Sequence, residues 1–335
     1  MEALEVMNSR MKFFGKLIVA ATAVAVFSAG CGGGSGSTAP GVTGPVVPVS
    51  GSISISLTDG PWEDAQAMVL HITGMDLGHS NGDVIQLDMS GGPMSVDMMQ
   101  LQNGMFQALI TGADVPTGQY EWLRLRVDLN QSYIDLASTG GRHSMQMGPN
   151  AGDGLEAHEP FQILESMHEE FMLDFDVRRG IQHSHMGMMG DQYELHSAMR
   201  LVNIDDAGGL TGMVEASMVA VNHPDCDAAA GRNFAYLFPG DALVPDDIAE
   251  PGSDGVPGPM ATDRVEMDPA TGDHFYHFEY LPEGSYRIAF TCSGEWDEEG
   301  DGDHPSDSDG RFNFQMFSDP MDVTAGQMHR FDLMP

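Results

Sequence analysis

The chain has 335 residues and a formal net charge of −36, with 50 acidic side chains against 14 basic ones. A surface this acidic repels phosphate backbones and anionic membrane faces, so the composition excludes a nucleic-acid-binding function. Hydrophobic residues make up 41% of the chain. That content is enough to bury a sizeable core and, at this length, predicts two domains.

The N-terminal segment carries the features of an export signal. Lys12 and Lys16, the only lysines in the chain, precede an apolar run over residues 17–27 and small residues at 28–30. The apolar run is too short for a stable membrane span. Residues 1–30 are therefore predicted to be a signal peptide, with translation beginning at Met1 or at Met11.

Cys31 follows the small residues directly and precedes a run of glycines and serines. This arrangement resembles the lipobox of bacterial lipoproteins, although Ser28 stands where that family carries a leucine-like residue. The resemblance implies a lipid on the Cys31 thiol that anchors the protein in the outer membrane of the cell envelope, facing the periplasm or the surface. Gly32 fits outer-membrane sorting by the same analogy, and ordinary secretion with an unmodified cysteine is the alternative.

Residues 31–50 contain no charged side chain and no hydrophobic period, which is typical of a flexible Gly/Ser/Pro tether. From Gly51 the pattern becomes strict alternation, because Ile53, Ile55 and Leu57 are separated by serines. Such alternation indicates a strand with one buried face. Short alternating segments recur to the end of the chain without a long helical pattern. The sequence therefore predicts an all-β fold of two β-sandwiches in tandem.

A polar segment at 205–209 interrupts the series of strands and predicts two domains, 51–206 and 209–335. Each domain contains one Pro-x-Gly-x-Tyr sequence just before a strand, at 116–120 and at 282–286. Proline and glycine favour a tight turn at these places. We expect each tyrosine to pack back over its corner.

Several of these segments carry resemblances to known families. Residues 51–206 resemble the bacterial lipoprotein family called domain of unknown function 4382 (DUF4382), through the segments 51–61, 96–104, 116–120, 171–178 and 199–202. Residues 209–335 resemble the transthyretin-like or carboxypeptidase-regulatory-like sandwich, through the segment 281–288. The two resemblances imply prealbumin-like or immunoglobulin-like domains on an exported protein with no assigned activity.

The chain contains no nucleophile elbow, zincin helix, phosphate-binding loop or dinucleotide fingerprint. Asp174 and Asp176 are two residues apart, but in a predicted strand over 171–177 they alternate with Leu173 and Phe175. This alternation predicts solvated carboxylates on the outer face and not a catalytic pair. We therefore expect a non-enzymatic binding or structural module whose partner is an envelope protein or a glycan.

With Cys31 lipidated, Cys226 and Cys292 remain as an even pair in an oxidising compartment. Cys292 ends an alternating apolar run that begins at Tyr286. The sequence therefore predicts a buried Cys226–Cys292 disulfide, with a reactive thiol as the alternative.

One segment with metal-ligand side chains is the acidic stretch 295–310, which contains Asp301, Asp303, Asp307 and Asp309. Hard carboxylate oxygens in a glycine-containing loop suit weak calcium binding. The spacing differs from that of an EF-hand, and an acidic surface loop without a metal is the alternative.

A second segment combines imidazole with thioether groups, in His183, His185, Met186 and Met188. Copper prefers these ligands, so the segment supports an alternative function, a periplasmic copper-handling protein. Chance adjacency is the competing explanation, because the chain contains 26 methionines. No further cofactor is indicated.

Overall fold

The computed structural model describes residues 49–60, 65–102, 104–137, 140–148, 152, 154–185, 191–219, 232–248, 258–294, 297 and 312–335, with only the backbone at 183–185 and 191. More than half of these residues lie in β-strands and very few lie in helices, which confirms the all-β prediction. The helices of this described part are one α-helical turn, α1 (Val177–Gly180), and 3₁₀ turns at Met98–Gln100 and Ile204–Asp206. Within the same ranges, no helix has the length and apolarity that a membrane crossing requires.

The first group of strands precedes residue 204. Its members are β1 (Ser50–Asp59), β2 (Ala65–His79), β3 (Val84–Leu87), β4 (Met94–Asp97), β5 (Gln107–Pro116), β6 (Gly118–Val127), β7 (Tyr133–Leu136), β8 (Gly141–His143), β9 (Met145–Met147), β10 (Leu155–Ala157), β11 (Phe161–Ile163), β12 (His168–Phe175), β13 (Ile181–His185), β14 (Asp191–Leu195) and β15 (Met199–Asn203).

These strands form two main sheets that pack face to face. One sheet has the order β15-β12-β1-β5, and β1 pairs with β12 in parallel. The other has the order β10-β6-β2-β7-β8, with β11 on β6 and with β3 and β4 on β2, while β13, β14 and β9 make a small third sheet. Ile55 and Leu57 from the first sheet and Leu123 and Leu125 from the second are fully buried in one core. The alternation in β1 thus places its apolar side chains between two sheets, as a sandwich requires.

The second group of strands follows residue 206. Its members are β16 (Ala207–Val214), β17 (Phe234–Pro239), β18 (Ala261–Arg264), β19 (Glu266–Met267), β20 (His274–Pro282), β21 (Gly284–Thr291), β22 (Met316–Phe317), β23 (Met321–Val323) and β24 (Met328–Arg330).

Two further sheets come from this group, with the orders β19-β20-β16-β24 and β18-β17-β21-β22, and β23 pairs with β21. Leu210 and Tyr276 from one sheet meet Leu237 and Ile288 from the other in a second core. Residues 49–335 nevertheless form one compact unit. The predicted domain limits, 51–206 and 209–335, stay predictions.

The two Pro-x-Gly-x-Tyr sequences have the same geometry. Each lies at a tight corner where the chain passes from one sheet to the other, between β5 and β6 or between β20 and β21. The Tyr120 hydroxyl donates to the carbonyl oxygen of Pro116 at 2.8 Å, and the Tyr286 hydroxyl donates to that of Pro282 at 2.7 Å. Each tyrosine therefore closes its own corner, which confirms the expectation from sequence.

The side chain of Arg178 connects the two groups of strands. It leaves α1, is only 6% exposed, and reaches into the second group. Its guanidinium donates to the Tyr236 hydroxyl at 2.6 Å and to the carbonyl oxygens of Gly294 and Asp297. Tyr236 in turn donates to the Asp297 carboxylate, and Arg178 lies 4.2 Å above the Phe234 ring. A buried charge is therefore matched by several acceptors at once, as a buried charge requires.

Candidate ligand-binding cavity

Most side chains that the sequence marks as sites lie outside the described residues. These are Cys31, Cys226, Met186, Met188, Asp301, Asp303, Asp307 and Asp309. His183 and His185 lie on β13, where their backbone pairs with Tyr193 and Asp191. The part of the chain that the structure describes contains no group of three or more His, Cys, Asp or Glu side chains placed to hold a metal ion. Calcium binding and copper binding stay predictions.

The predicted disulfide has one end within the described residues. Cys292 is completely buried and its sulfur is not a free thiol. Because Cys226 is outside the described ranges, the Cys226–Cys292 pairing stays a prediction.

A cavity of about 460 Å³ lies where the first group of strands meets the second. The ends of β1 and β12 and the strand β15 form one wall, and β18 and β20 form the other. The lining extends from Glu159 and Pro282, which are exposed, to Asp59 and Asp176, which are buried. The cavity therefore connects a solvent-exposed rim with buried carboxyl groups.

Asp59 is the last residue of β1 and is 7% exposed. Its Oδ1 accepts a hydrogen bond from the backbone N–H of Val177 at 3.1 Å, whereas its Oδ2 is buried without a hydrogen-bond partner. Burial raises the pKa of Asp59 well above its usual range, and repulsion from Asp176 and Asp174 adds to the effect. An unpartnered buried carboxylate oxygen is costly, so Asp59 is the residue of this cavity that most needs an explanation.

Asp176 follows β12 and is also 7% exposed, so the prediction of a solvated carboxylate is wrong for this residue. The strand ends at Phe175, and Asp176 caps α1 by accepting from the backbone N–H of Arg179 at 3.2 Å. Its Oδ2 accepts from the backbone N–H and the hydroxyl of Thr262 on β18, at 3.2 and 3.3 Å. Burial raises the pKa of Asp176, while the Arg179 guanidinium acts in the opposite direction. Asp176 thus joins the two walls of the cavity.

Asp174 and Arg200 form an ion pair across the β12–β15 register. The Arg200 Nε donates to Asp174 Oδ2 at 2.7 Å, and Nη2 of the same guanidinium contacts that oxygen as well. The Nη1 atom of Arg200 is buried without a hydrogen-bond partner. Both side chains of the pair are partly exposed. Arg200 is thus the counter-ion of Asp174, one of the acids that line the cavity.

The opposite wall contains a β-bulge in β20 at Glu279 and Tyr280, where Leu210 pairs with Phe278 but Gly208 pairs with Leu281. Tyr280 has φ of 51°, which is the left-handed region that non-glycine residues seldom adopt. Bulges often redirect side chains next to functional sites. Here the bulge places Glu279 against Gly104, where an added Cβ would overlap the Glu279 carboxylate.

Three more ionisable residues of this wall, Asp263, His277 and Glu279, have shifted pKa values. Asp263 accepts from the backbone N–H of His277 at 2.6 Å, and burial raises its pKa well above the usual range. Burial lowers the pKa of His277. Burial also raises the pKa of Glu279, with a contribution from Asp174 on the facing wall. The cavity therefore offers hydrogen-bonding groups that are held in a poorly hydrated environment.

Two hydroxyl groups of the cavity lining are bound to the backbone. The Thr58 hydroxyl donates to the carbonyl oxygens of Leu101 and Met105, and the Ser197 hydroxyl accepts from the backbone N–H of Glu156. These two side chains hold backbone segments in place. The polar groups on the cavity walls can form hydrogen bonds with a polar ligand.

The burial of Asp59 could have been predicted from the sequence. Ile53, Ile55, Leu57 and Asp59 follow the same two-residue period, so Asp59 falls on the core-facing side of β1. A carboxylate on the buried face of a strand is a signal for a functional group. The burial of Asp176 has no such signal, because it depends on the chain leaving β12 to form α1.

The fold is all-β, and polar side chains line a cavity between its two groups of strands. A family model described as "Domain of unknown function (DUF4382)" matches residues 50–196, which confirms the resemblance for that part of the chain. No curated protein matches the chain in sequence.

Solved structures that are similar to this chain share little sequence with it. The Bacillus anthracis TIE protein is 10% identical over 85% of this chain, with a TM-score of 0.19, and the chain spans 34% of its length. A leucine-rich repeat protein from Bacteroides thetaiotaomicron VPI-5482 is 9% identical over 85% of this chain, with a TM-score of 0.20, and the chain spans 26% of its length. The fimbrial anchor protein Mfa2 from Porphyromonas gingivalis is 10% identical over 80% of this chain and 82% of its own length, with a TM-score of 0.18. TM-scores this low support no argument about function.

Proposed function

We propose that this protein is a lipid-anchored, non-enzymatic binding protein of the cell envelope, and that it takes a small polar ligand into the cavity beside Asp59. The observation that carries the proposal is the cavity of about 460 Å³ between the two groups of strands, whose lining includes the buried residue Asp59. Binding sites for small molecules commonly measure about 300–1,000 Å³ and place a few polar groups among apolar ones. The cavity has that size and that character, since Met199 and Met260 line it beside the carboxyl groups.

Carboxyl groups with raised pKa values also occur in enzymes, as general acids and bases. A carboxyl pair that works in this way needs two acids whose oxygens can reach a substrate. Both oxygens of Asp176 already accept hydrogen bonds from Arg179 and Thr262. Of the two buried acids Asp59 and Asp176, Asp59 alone has an oxygen without a hydrogen-bond partner, so this pair does not offer two available carboxyl groups.

A ligand screen tests the binding function. Ala198 and Met260 line the cavity, and we expect Ala198→Phe and Met260→Trp to fill it. Any sugar, amine or amino acid that raises the melting temperature of the full chain should lose its effect in both variants. Ala270→Phe, in an exposed turn, is the control and should keep the effect. Ligands whose effect survives both cavity-filling substitutions would show that the cavity is not the binding site.

The envelope location is tested at Cys31. Because the predicted signal peptide ends there, Cys31→Ala should abolish attachment of the lipid and move the protein from the membrane fraction to the soluble fraction. Fractionation of cells that express each form, with metabolic labelling by a tagged fatty acid, measures both effects. An unlabelled wild-type protein, or an unchanged membrane fraction in the variant, would contradict the lipoprotein assignment.

A further inference from the structure

Polar side chains from both walls of the cavity keep hydrogen-bonding atoms open to solvent. Tyr280 and Glu279 lie at the bulge in β20, and Asp174 lies on β12 in the facing wall. Within the described residues, the Tyr280 hydroxyl, both Glu279 carboxylate oxygens and Oδ1 of Asp174 take part in no hydrogen bond, and none of these atoms is sealed from solvent. These atoms are therefore available to a ligand.

The same three side chains converge on the cavity. Burial raises the pKa of Glu279 and that of Tyr280, and repulsion from Asp174 adds to both effects. Because Asp174 belongs to the opposite wall, this influence acts across the space between the two groups of strands. The Glu279 carboxylate also lies against Gly104, which is another lining residue. One ligand can thus contact both walls at this place.

The charged groups of the lining largely compensate one another. Asp174 forms an ion pair with Arg200, and the Arg179 guanidinium acts on Asp176 with the opposite charge. Burial favours the uncharged form of three further carboxyl groups, those of Asp59, Asp263 and Glu279. A ligand with a formal charge would give up its hydration here and would compete with the existing ion pairs. The lining therefore favours a ligand without charge.

A sugar ring combines the two kinds of surface that this lining can contact. Each of its hydroxyl groups can donate one hydrogen bond and accept others, which suits a wall that offers a phenolic donor beside carboxyl acceptors. The C–H faces of the ring are apolar. Met199, Met260 and the ring of Tyr280 line the cavity and offer those faces apolar contacts.

We propose that the ligand of this cavity is a neutral sugar ring whose hydroxyl groups bond to Tyr280, Glu279 and Asp174. This inference rests on the proposed binding function and specifies its ligand class. The Tyr280 hydroxyl donates to a sugar oxygen, and the carboxyl oxygens of Glu279 and Asp174 accept from sugar hydroxyls. Because the ligand carries no charge, its affinity depends little on ionic strength.

The probes are the methyl α-D-glycosides of glucose, galactose and mannose, which are neutral and differ in the orientation of their hydroxyl groups. Calorimetric titration of the full chain measures their binding. At least one glycoside should bind, and its Kd should change less than about 2-fold between low and high sodium chloride. The uronic acid and the 2-amino sugar with the same ring are the charged comparators. Neither should bind more tightly than the neutral glycoside.

Tyr280→Phe removes one hydroxyl and keeps the aromatic ring. It should weaken glycoside binding by about 5- to 10-fold, as expected for the loss of one hydrogen bond. Tyr133→Phe is the matched control, because Tyr133 lies on β7, outside the cavity lining. The control should change the affinity less than about 2-fold.

Two substitutions of Glu279 separate hydrogen bonding from charge. Glu279→Leu should weaken binding by about 10-fold or more, since a sugar hydroxyl is then buried without its acceptor. Glu279→Gln should cause a smaller loss, because the amide keeps an acceptor oxygen and carries no charge. A ligand held by the charge of Glu279 would lose the same affinity in both variants.

The outcomes separate the ligand class from the binding function. No response to any of the three glycosides, equal affinity of wild type and Tyr280→Phe, or equal losses in the two Glu279 variants would overturn the sugar site. If another compound of the screen binds and Ala198→Phe abolishes that binding, the cavity is a binding site for a different ligand class. If no compound gives a response that depends on Ala198, the proposed binding function fails together with the inference. Melting temperatures show that each variant is folded.

Discussion

Arg178→Met should destabilise the protein by about 3–5 kcal/mol, the usual cost of breaking a buried ion pair from one side. Methionine keeps much of the arginine's apolar bulk but removes the donors to Tyr236, Gly294 and Asp297. The Asp297 carboxylate would then stay buried without the guanidinium that lies 3.8 Å from it. Urea unfolding, followed by circular dichroism, measures the change in the free energy of unfolding.

Arg142→Met is the matched control, because Arg142 also stacks on an aromatic ring, at 3.9 Å from the centre of Tyr133, but is exposed. Exposed stacking of this kind contributes about 0.5–1 kcal/mol. Equal losses in the two variants would show that the Arg178 network contributes only packing. The double variant Arg178→Met with Asp297→Asn should be more stable than Arg178→Met alone, since it leaves no buried carboxylate behind.

Asp59→Asn should stabilise the protein at neutral and alkaline pH. Burial raises the pKa of Asp59 above that of an unfolded aspartate, so the folded state binds a proton that the unfolded state has released. The stability from this group is therefore fully present below the unfolded pKa and is lost as the pH rises through the folded pKa. Asparagine keeps an acceptor for the Val177 N–H and carries no charge. We expect a gain of about 1–3 kcal/mol at about pH 8 that disappears in acid.

The comparison needs a control for net charge, because a chain with a charge of −36 loses stability through self-repulsion as the pH rises. Asp88→Asn removes one exposed charge and should give an almost constant difference from wild type. Urea unfolding at a series of pH values measures both differences. An Asp59→Asn variant whose stability follows that of wild type at every pH would mean that Asp59 is ionised in the folded state without cost.

The same substitution would then improve stability and remove a buried carboxyl group from the lining of the cavity. A residue that lowers stability and is retained for binding is a common compromise in functional sites. The stability and the ligand binding of Asp59→Asn can be measured on the same protein.

Local features of this fold were predictable because short-range physics determines them. The alternation of Ile53, Ile55 and Leu57 defines the buried face of β1 without knowledge of its partners. The turn chemistry before Tyr120 and Tyr286 predicts both corners.

The features that sequence reasoning missed depend on pairing over long distances. The alternating pattern of β1 is compatible with any neighbour, so its parallel partner β12 could not be deduced. The cavity requires β15 and β20 to face each other, and the ion-pair network of Arg178 requires α1 to meet Asp297. These contacts come from the packing of one group of strands on the other. Local sequence patterns carry no information about that packing.

The parallel pairing of β1 with β12 has a consequence for the order in which the protein acquires its structure. Ser52 and His168, which hydrogen-bond across this pair, are 116 residues apart in the chain. β1 has β5 as its antiparallel neighbour, but its other edge stays open until β12 has been made. The strand β16 has the same arrangement, because its parallel partner β24 is the last strand of the chain. Chains with such distant pairings fold slowly and expose strand edges while they do so. A dense negative charge, which keeps incomplete chains apart, protects such a chain from aggregation during that interval.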